Sequence, residues 1–188
     1  AKTGKEMLYL NIGDPNLYDF VPPKHLVDAT YQAMLKNLNG YAPSSGIGEA
    51  VKAIEAEAER KGITNVHDIF VTTGASEAID ICLTALVNDG ENVLTPTPGY
   101  PLYTAIASKL QMMENPYYLD ESNGWLPDIE DIKSKINDKT KAIVLINPNN
   151  PTGSLYTRDN LQQIVDLALE NNLVIFADEI YDKLLFDG

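Results

Sequence analysis

A mostly parallel α/β sheet covered by helices is the fold class this sequence predicts, and three observations predict it. From Asp68 onward, short β-rich runs alternate with stretches of helical periodicity, the pattern of successive βα units. Two of the runs, residues 142–146 and 173–177, are continuously apolar, as strands buried on both faces of a parallel sheet are. Glycine and proline clusters break the chain where several of the runs end.

In chain order, residues 7–12 read as an extended apolar segment that starts abruptly, as though sequence preceded it. Residues 25–38 read as a helix, and residues 1–67 as an N-terminal arm leading into a sheet-forming region, residues 68–188. In that region residues 69–73 form a short β-rich run and Gly74 a turn. A helix follows, with Ala75, Ala78, Ile79, Cys82, Leu83, Leu86 and Val87 at three-and-four spacing. Asp89-Gly90 closes it, residues 92–95 start a second extended run, and Pro96-Thr97-Pro98-Gly99 breaks that run before a helical stretch over residues 102–110. Between the two apolar runs, residues 159–171 supply a crossover helix with Leu161, Ile164, Val165 and Ala168 on one face.

Composition narrows the function classes. The 188 residues are 44% hydrophobic and 22% charged, an ordinary globular balance, and the net charge is −13. Such a field repels phosphate backbones and anionic headgroups, so neither nucleic acid nor a membrane surface is an expected partner. Cys82 is the single cysteine, which excludes an intrachain disulfide and a cysteine-based zinc site, and its place on an apolar helical stripe predicts burial. This fits a reducing cytoplasm. No stretch reaches membrane-spanning length, and no signal-peptide pattern stands at the start.

In open parallel sheets ligands collect at the carboxyl ends of strands, so the residues after each run carry the functional argument. Gly74-Ala75-Ser76 is a strand-to-helix turn whose free N–H groups and positive dipole end suit a phosphate; an ordinary glycine turn capped by Ser76 fits the same residues. Tyr100, after a proline-glycine turn, presents a ring for stacking or packs beneath a loop. Asn147-Pro148-Asn149-Asn150-Pro151-Thr152-Gly153 is the most specific signal, because two prolines and a glycine fix an irregular backbone just beyond a strand, and Asn150 brings an amide donor there. Asp178 ends an apolar run, where a carboxylate is costly without a partner; a cation is the implied partner, and a cap on the following turn is the alternative. Gly46-Ile47-Gly48 is no nucleotide loop, since no strand precedes it and a third glycine is missing. His25 and His67 lie outside these motifs and are expected at the surface.

These segments, with Asn11-Ile12-Gly13-Asp14-Pro15 before them and Asp178-Glu179-Ile180-Tyr181-Asp182-Lys183 at the end, resemble the fold-type I aminotransferases in order, spacing and placement. The resemblance covers essentially the whole chain and implies part of the large domain of an enzyme dependent on pyridoxal 5'-phosphate (PLP). It implies that Ala75 and Ser76 hold the PLP phosphate, that Tyr100 stacks on the pyridine ring, and that Asn150 and Tyr181 reach the O3' oxygen. Asp178 would keep the pyridine nitrogen protonated. Gly13 corresponds to backbone near the substrate carboxylate, with Asn150 also on the substrate side. Tyr41 corresponds to a tyrosine that reaches the phosphate of a neighbouring subunit, so a homodimer is implied.

The family's Schiff-base lysine lies well after the Asp-to-Tyr motif, and its substrate-carboxylate arginine later still. The sequence ends at Gly188, and Lys183 stands where the family carries a charged residue of no catalytic role. The expectation is therefore a piece of a protein of roughly twice the length, lacking the end of the large domain and a small C-terminal domain, with no catalytic residue of its own and no transamination activity alone. Tyr18-Asp19-Phe20, Tyr41-Ala42-Pro43-Ser44-Ser45-Gly46 and Trp125-Leu126-Pro127-Asp128 look most like the alanine aminotransferase group. That implies transfer of an amino group between alanine and 2-oxoglutarate, with aspartate as the runner-up donor. A non-catalytic ligand-sensing domain of a regulator is the rival from another class, and β-elimination or decarboxylation on the same cofactor is a third reading.

Overall fold

The computed structural model describes residues 13–186, which divide into two compact units at Val71/Thr72. The apolar segment expected at residues 7–12 lies outside the described residues. In the first unit Asp14 caps a single 3-10 turn, Pro15–Tyr18, by accepting from the Asn16 N–H. Two helices follow, α1 (Lys24–Leu35) and α2 (Gly48–Arg60). The first corresponds to the helix expected at 25–38. The second was not anticipated; it starts at Gly48 itself, so Gly46-Ile47-Gly48 is the entry to a helix. Residues 69–73 do not form the expected strand. A strand needs a ladder of backbone partners, and here Val71 N–H donates to Ser45 O at 2.9 Å while Phe70 and Val71 stay exposed.

The second unit is a three-layer α/β sandwich around a five-stranded sheet, as the βα alternation predicts. Its strands are β1 (Asn92–Thr97), β2 (Met113–Asp120), β3 (Leu126–Pro127), β4 (Thr140–Ile146) and β5 (Val174–Asp178). They stand in the order β3-β2-β1-β4-β5; β2, β1, β4 and β5 are mutually parallel, and β3 returns antiparallel beside β2. The helices are α3 (Ala75–Leu86), α4 (Leu102–Lys109), α5 (Ile129–Lys135) and α6 (Arg158–Glu170).

Because side chains alternate along a strand, each central strand feeds two cores. Val93 of β1 and Ala142, Val144 and Ile146 of β4 pack with Ile79 and Leu83 of α3 and Tyr103 and Ile106 of α4. Leu94 of β1 and Ile143 and Leu145 of β4 point the other way and pack with Ile132 of α5 and Ile164 of α6. The run at 142–146 is thus buried on both faces, as expected. The run at 173–177 is not, because β5 is an edge among the described residues and Val174 is 45% exposed. Cys82 is exposed and not buried as the periodicity implied: Ile79 and Leu83 carry the buried stripe of α3, and Cys82 is turned off it. The elements β2, β3 and α5 went unread because Pro116 and the charges of residues 113–141 break every simple period.

Candidate active site

The start of α3 and the ends of β1, β4 and β5 build the site. Gly74 holds φ = 82°, a left-handed conformation that a side chain would strain, and it turns the chain into α3 without any side-chain cap. Ser76 is therefore not a cap, and the first-turn N–H groups of α3 keep their capacity to meet an anion. After β1, Gly99 packs so tightly that an added Cβ would sit 2.2 Å from Pro96 O, which fixes the turn carrying Tyr100.

Beyond β4, Asn147 N–H donates to Asp178 O at 3.0 Å, and Asn147 Oδ1 accepts from Tyr156 N–H at 2.9 Å. Asn149, 3% exposed, donates from Nδ2 to Thr152 Oγ1 at 2.8 Å and to Pro98 O at 3.4 Å. The loop after β4 is thereby tied to the turn after β1. Sequence reading passed over Asn149 in favour of its neighbour. The signal that marks it is a second amide inside a rigid Pro-x-x-Pro frame.

These turns converge. Ala75, Ser76, Tyr100, Asn150, Asp178 and Tyr181 all line one crevice of about 220 Å³, with Ile79, Ile146 and Ile180 as its apolar floor. All six were singled out from the sequence. Gly13 and Tyr41 belong to the first unit, and Tyr41 is fully exposed. His25 and His67 are exposed. Among the described residues no lysine lines the crevice, and no group of His, Cys, Asp or Glu is placed to hold a metal.

Asp178, at the end of β5, meets no cation among the described residues. Its Oδ2 accepts a hydrogen bond from the Tyr103 hydroxyl at 2.9 Å, and its Oδ1 a long one from Ile180 N–H at 3.4 Å. Burial first, and then the Asp178 charge, push the Tyr103 phenol far above its ordinary value, so it remains a proton donor. The sequence did not single out Tyr103. It reads as one more apolar-face residue of α4, and its partner is 75 residues away.

The crevice offers an uncapped helix N-terminus for an anion, an aromatic ring, an amide and a phenol for an oxygen, and a carboxylate for a protonated nitrogen. That donor set is complementary to a phosphorylated, hydroxylated pyridine.

Residues 5–188 match the family described as aminotransferase class I and II. The chain is 48% identical over 191 residues to the glutamate-pyruvate aminotransferase AlaA of Haemophilus influenzae, covering 98% of this chain and 46% of that protein. It is 44% identical over 187 residues to the alanine aminotransferase of Mycobacterium tuberculosis, covering 98% of this chain and 43% of that protein. Among solved structures, the alanine aminotransferase from Pyrococcus furiosus superposes with a TM-score of 0.93 at 40% identity, covering 100% of this chain and 48% of that one. The chain spans about half the length of the relatives it matches. With strand ends, crevice and sequence match in agreement, the chain belongs to the aminotransferase class I and II family.

Proposed function

We propose that the complete protein carrying this chain uses PLP to transfer an amino group between L-alanine and 2-oxoglutarate. The observation that carries this reading is the convergence of six residues, from the start of α3 and from the segments after β1, β4 and β5, on one crevice whose donors match that cofactor. The first turn of α3 at Ala75 and Ser76 binds the phosphate through backbone N–H groups and the helix dipole. Tyr100 covers the ring, and Asn150 and Tyr181 donate to the phenolic oxygen. Asp178 holds a proton at the ring nitrogen. When bound, PLP supplies an electron-withdrawing ring that stabilises negative charge at the substrate Cα.

Gly13 and Asn150 keep in this reading the substrate-side roles that the family resemblance implies. The lysine that bonds the cofactor and moves the proton, and the arginine that selects the substrate carboxylate, belong to sequence outside residues 1–188, so the crevice by itself binds and orients. Tyr41 serves a neighbouring subunit's phosphate in a homodimer; its full exposure leaves the ring available for that role. Residues 1–67 form the arm and 68–188 the first part of the large domain of a cytoplasmic enzyme. Alanine is preferred to aspartate as donor because proteins named for alanine or glutamate-pyruvate transfer match at 44–48% identity.

A second reading is a ligand-sensing domain of a regulator, and the net charge of −13 weighs against its joining DNA directly. One experiment separates the readings. The complete protein is mixed with PLP and its visible spectrum followed as L-alanine, L-aspartate and then 2-oxoglutarate are added. A PLP band that bleaches with alanine and returns with 2-oxoglutarate is expected. Faster bleaching by aspartate would reassign the donor, and a band that forms but never bleaches would favour the sensing domain.

A further inference from the structure

We infer that Tyr103 is a positioning residue for the cofactor site, its hydroxyl orienting the Asp178 carboxylate toward the ring nitrogen. The inference rests on the reading of the crevice as a PLP site. Asp178 sits where an edge strand ends, with neighbours on one side of β5 only among the described residues. Its one backbone contact through the side chain, from Ile180 N–H, is long at 3.4 Å. Left to that contact, the carboxylate would swing about its side-chain torsions and present an oxygen to the crevice for part of the time.

Tyr103 removes that freedom. Its ring is 3% exposed and packed among Ile79, Val93, Ile106 and Val144, so the hydroxyl emerges from the core at a fixed point 2.9 Å from Asp178 Oδ2. Holding Oδ2 from the core leaves Oδ1, with its long contact to Ile180 N–H, as the oxygen to meet a ligand in the crevice that Asp178 lines. The phenol stays protonated because burial and the Asp178 charge oppose its ionisation, so it remains the donor to Asp178. Tyr103 also lies one turn after Tyr100 on the same rigid Pro-Gly-Tyr-Pro entry to α4, with Tyr103 N–H reaching Tyr100 O at 3.4 Å. One short segment therefore sets both the stacking ring and the carboxylate.

The test uses the complete protein and two readouts: the PLP dissociation constant of the apoprotein by spectral titration, and kcat and KM for alanine of the loaded protein. Tyr103→Phe keeps the packed ring and removes the hydroxyl. It is expected to weaken PLP about tenfold, the size of one hydrogen bond to a charged group, and to lower kcat while leaving KM for alanine unchanged. In an Asp178→Ala background the same change should add nothing, because the partner is gone. Tyr103→Phe matching the parent in PLP affinity and kcat, or weakening PLP equally in both backgrounds, would overturn the inference and leave Tyr103 a packing residue. If Asp178→Ala itself leaves PLP affinity unchanged, the cofactor reading of the crevice fails instead.

Discussion

At the residue scale, the candidate site depends on a few side chains that touch no ligand in the proposed reading. Asn149 is such a residue: its amide joins two loops from the core, and its Oδ1 has no hydrogen-bond partner, so its value lies in the donor. Asn149→Ala is expected to lower stability by about 1–3 kcal/mol in denaturant unfolding of the complete protein. Asn149→Asp removes the same donor and adds a buried charge, and it should cost more. Gly99 is a second case. Because a Cβ there meets Pro96 O at 2.2 Å, Gly99→Ala must shift the turn; a loss of about 1–3 kcal/mol in the same unfolding measurement is expected, together with weaker PLP binding through displaced Tyr100. Proline-glycine punctuation marked these turns in the sequence. Which amide tied them together was not legible, because Asn149 and Asn150 are neighbours of one type and only burial separates their roles.

At the element scale, the parallel strands read directly where their faces are both apolar, as in β4, and least well where charge and proline interrupt, as in β2 and α5. The helix α5 is short and owes much to its start. Asp128 accepts from the N–H groups of both Glu130 and Asp131, and Lys133 and Lys135 stand in the last turn where the dipole favours cations. Lys135 closes the element further by pairing with Asp131 at 2.7 Å, with only 24% and 17% of the side chains exposed, while its ammonium lies 4.5 Å from the centre of the Tyr118 ring. Removing the cap with Asp128→Ala should cost about 1 kcal/mol, whereas Asp128→Asn should be close to neutral, since either side chain caps equally well; chemical denaturation checks both. The expected strand at residues 69–73 failed for the converse reason. Its composition is that of a strand, but strand is a property of a pair, and no ladder partner stands beside it among the described residues.

At the scale of the whole molecule, three phenols inside the sandwich make its stability depend on alkaline pH. Burial is the first cause that raises Tyr103, Tyr117 and Tyr156. In the unfolded chain each phenol loses its proton near pH 10, while in the folded protein it keeps it, so stability is fully present below that pH and is lost above it. Unfolding followed between pH 9 and 11 should steepen near pH 10 as these groups add up, and Tyr156→Phe should reduce the slope by about one proton without moving its onset. What the sequence determined was the α/β class and five of the crevice residues, Ala75, Ser76, Tyr100, Asn150 and Asp178, because each announces itself within a few neighbours: an apolar run, a glycine or proline break, then a polar side chain; Tyr181 came from the family resemblance. The order β3-β2-β1-β4-β5, the exposure of Cys82, and the pairing of Tyr103 with Asp178 across 75 residues were decided by the tertiary structure. The reason is physical: a run of residues specifies its own conformation, but its partner depends on where the crossovers carry the rest of the chain.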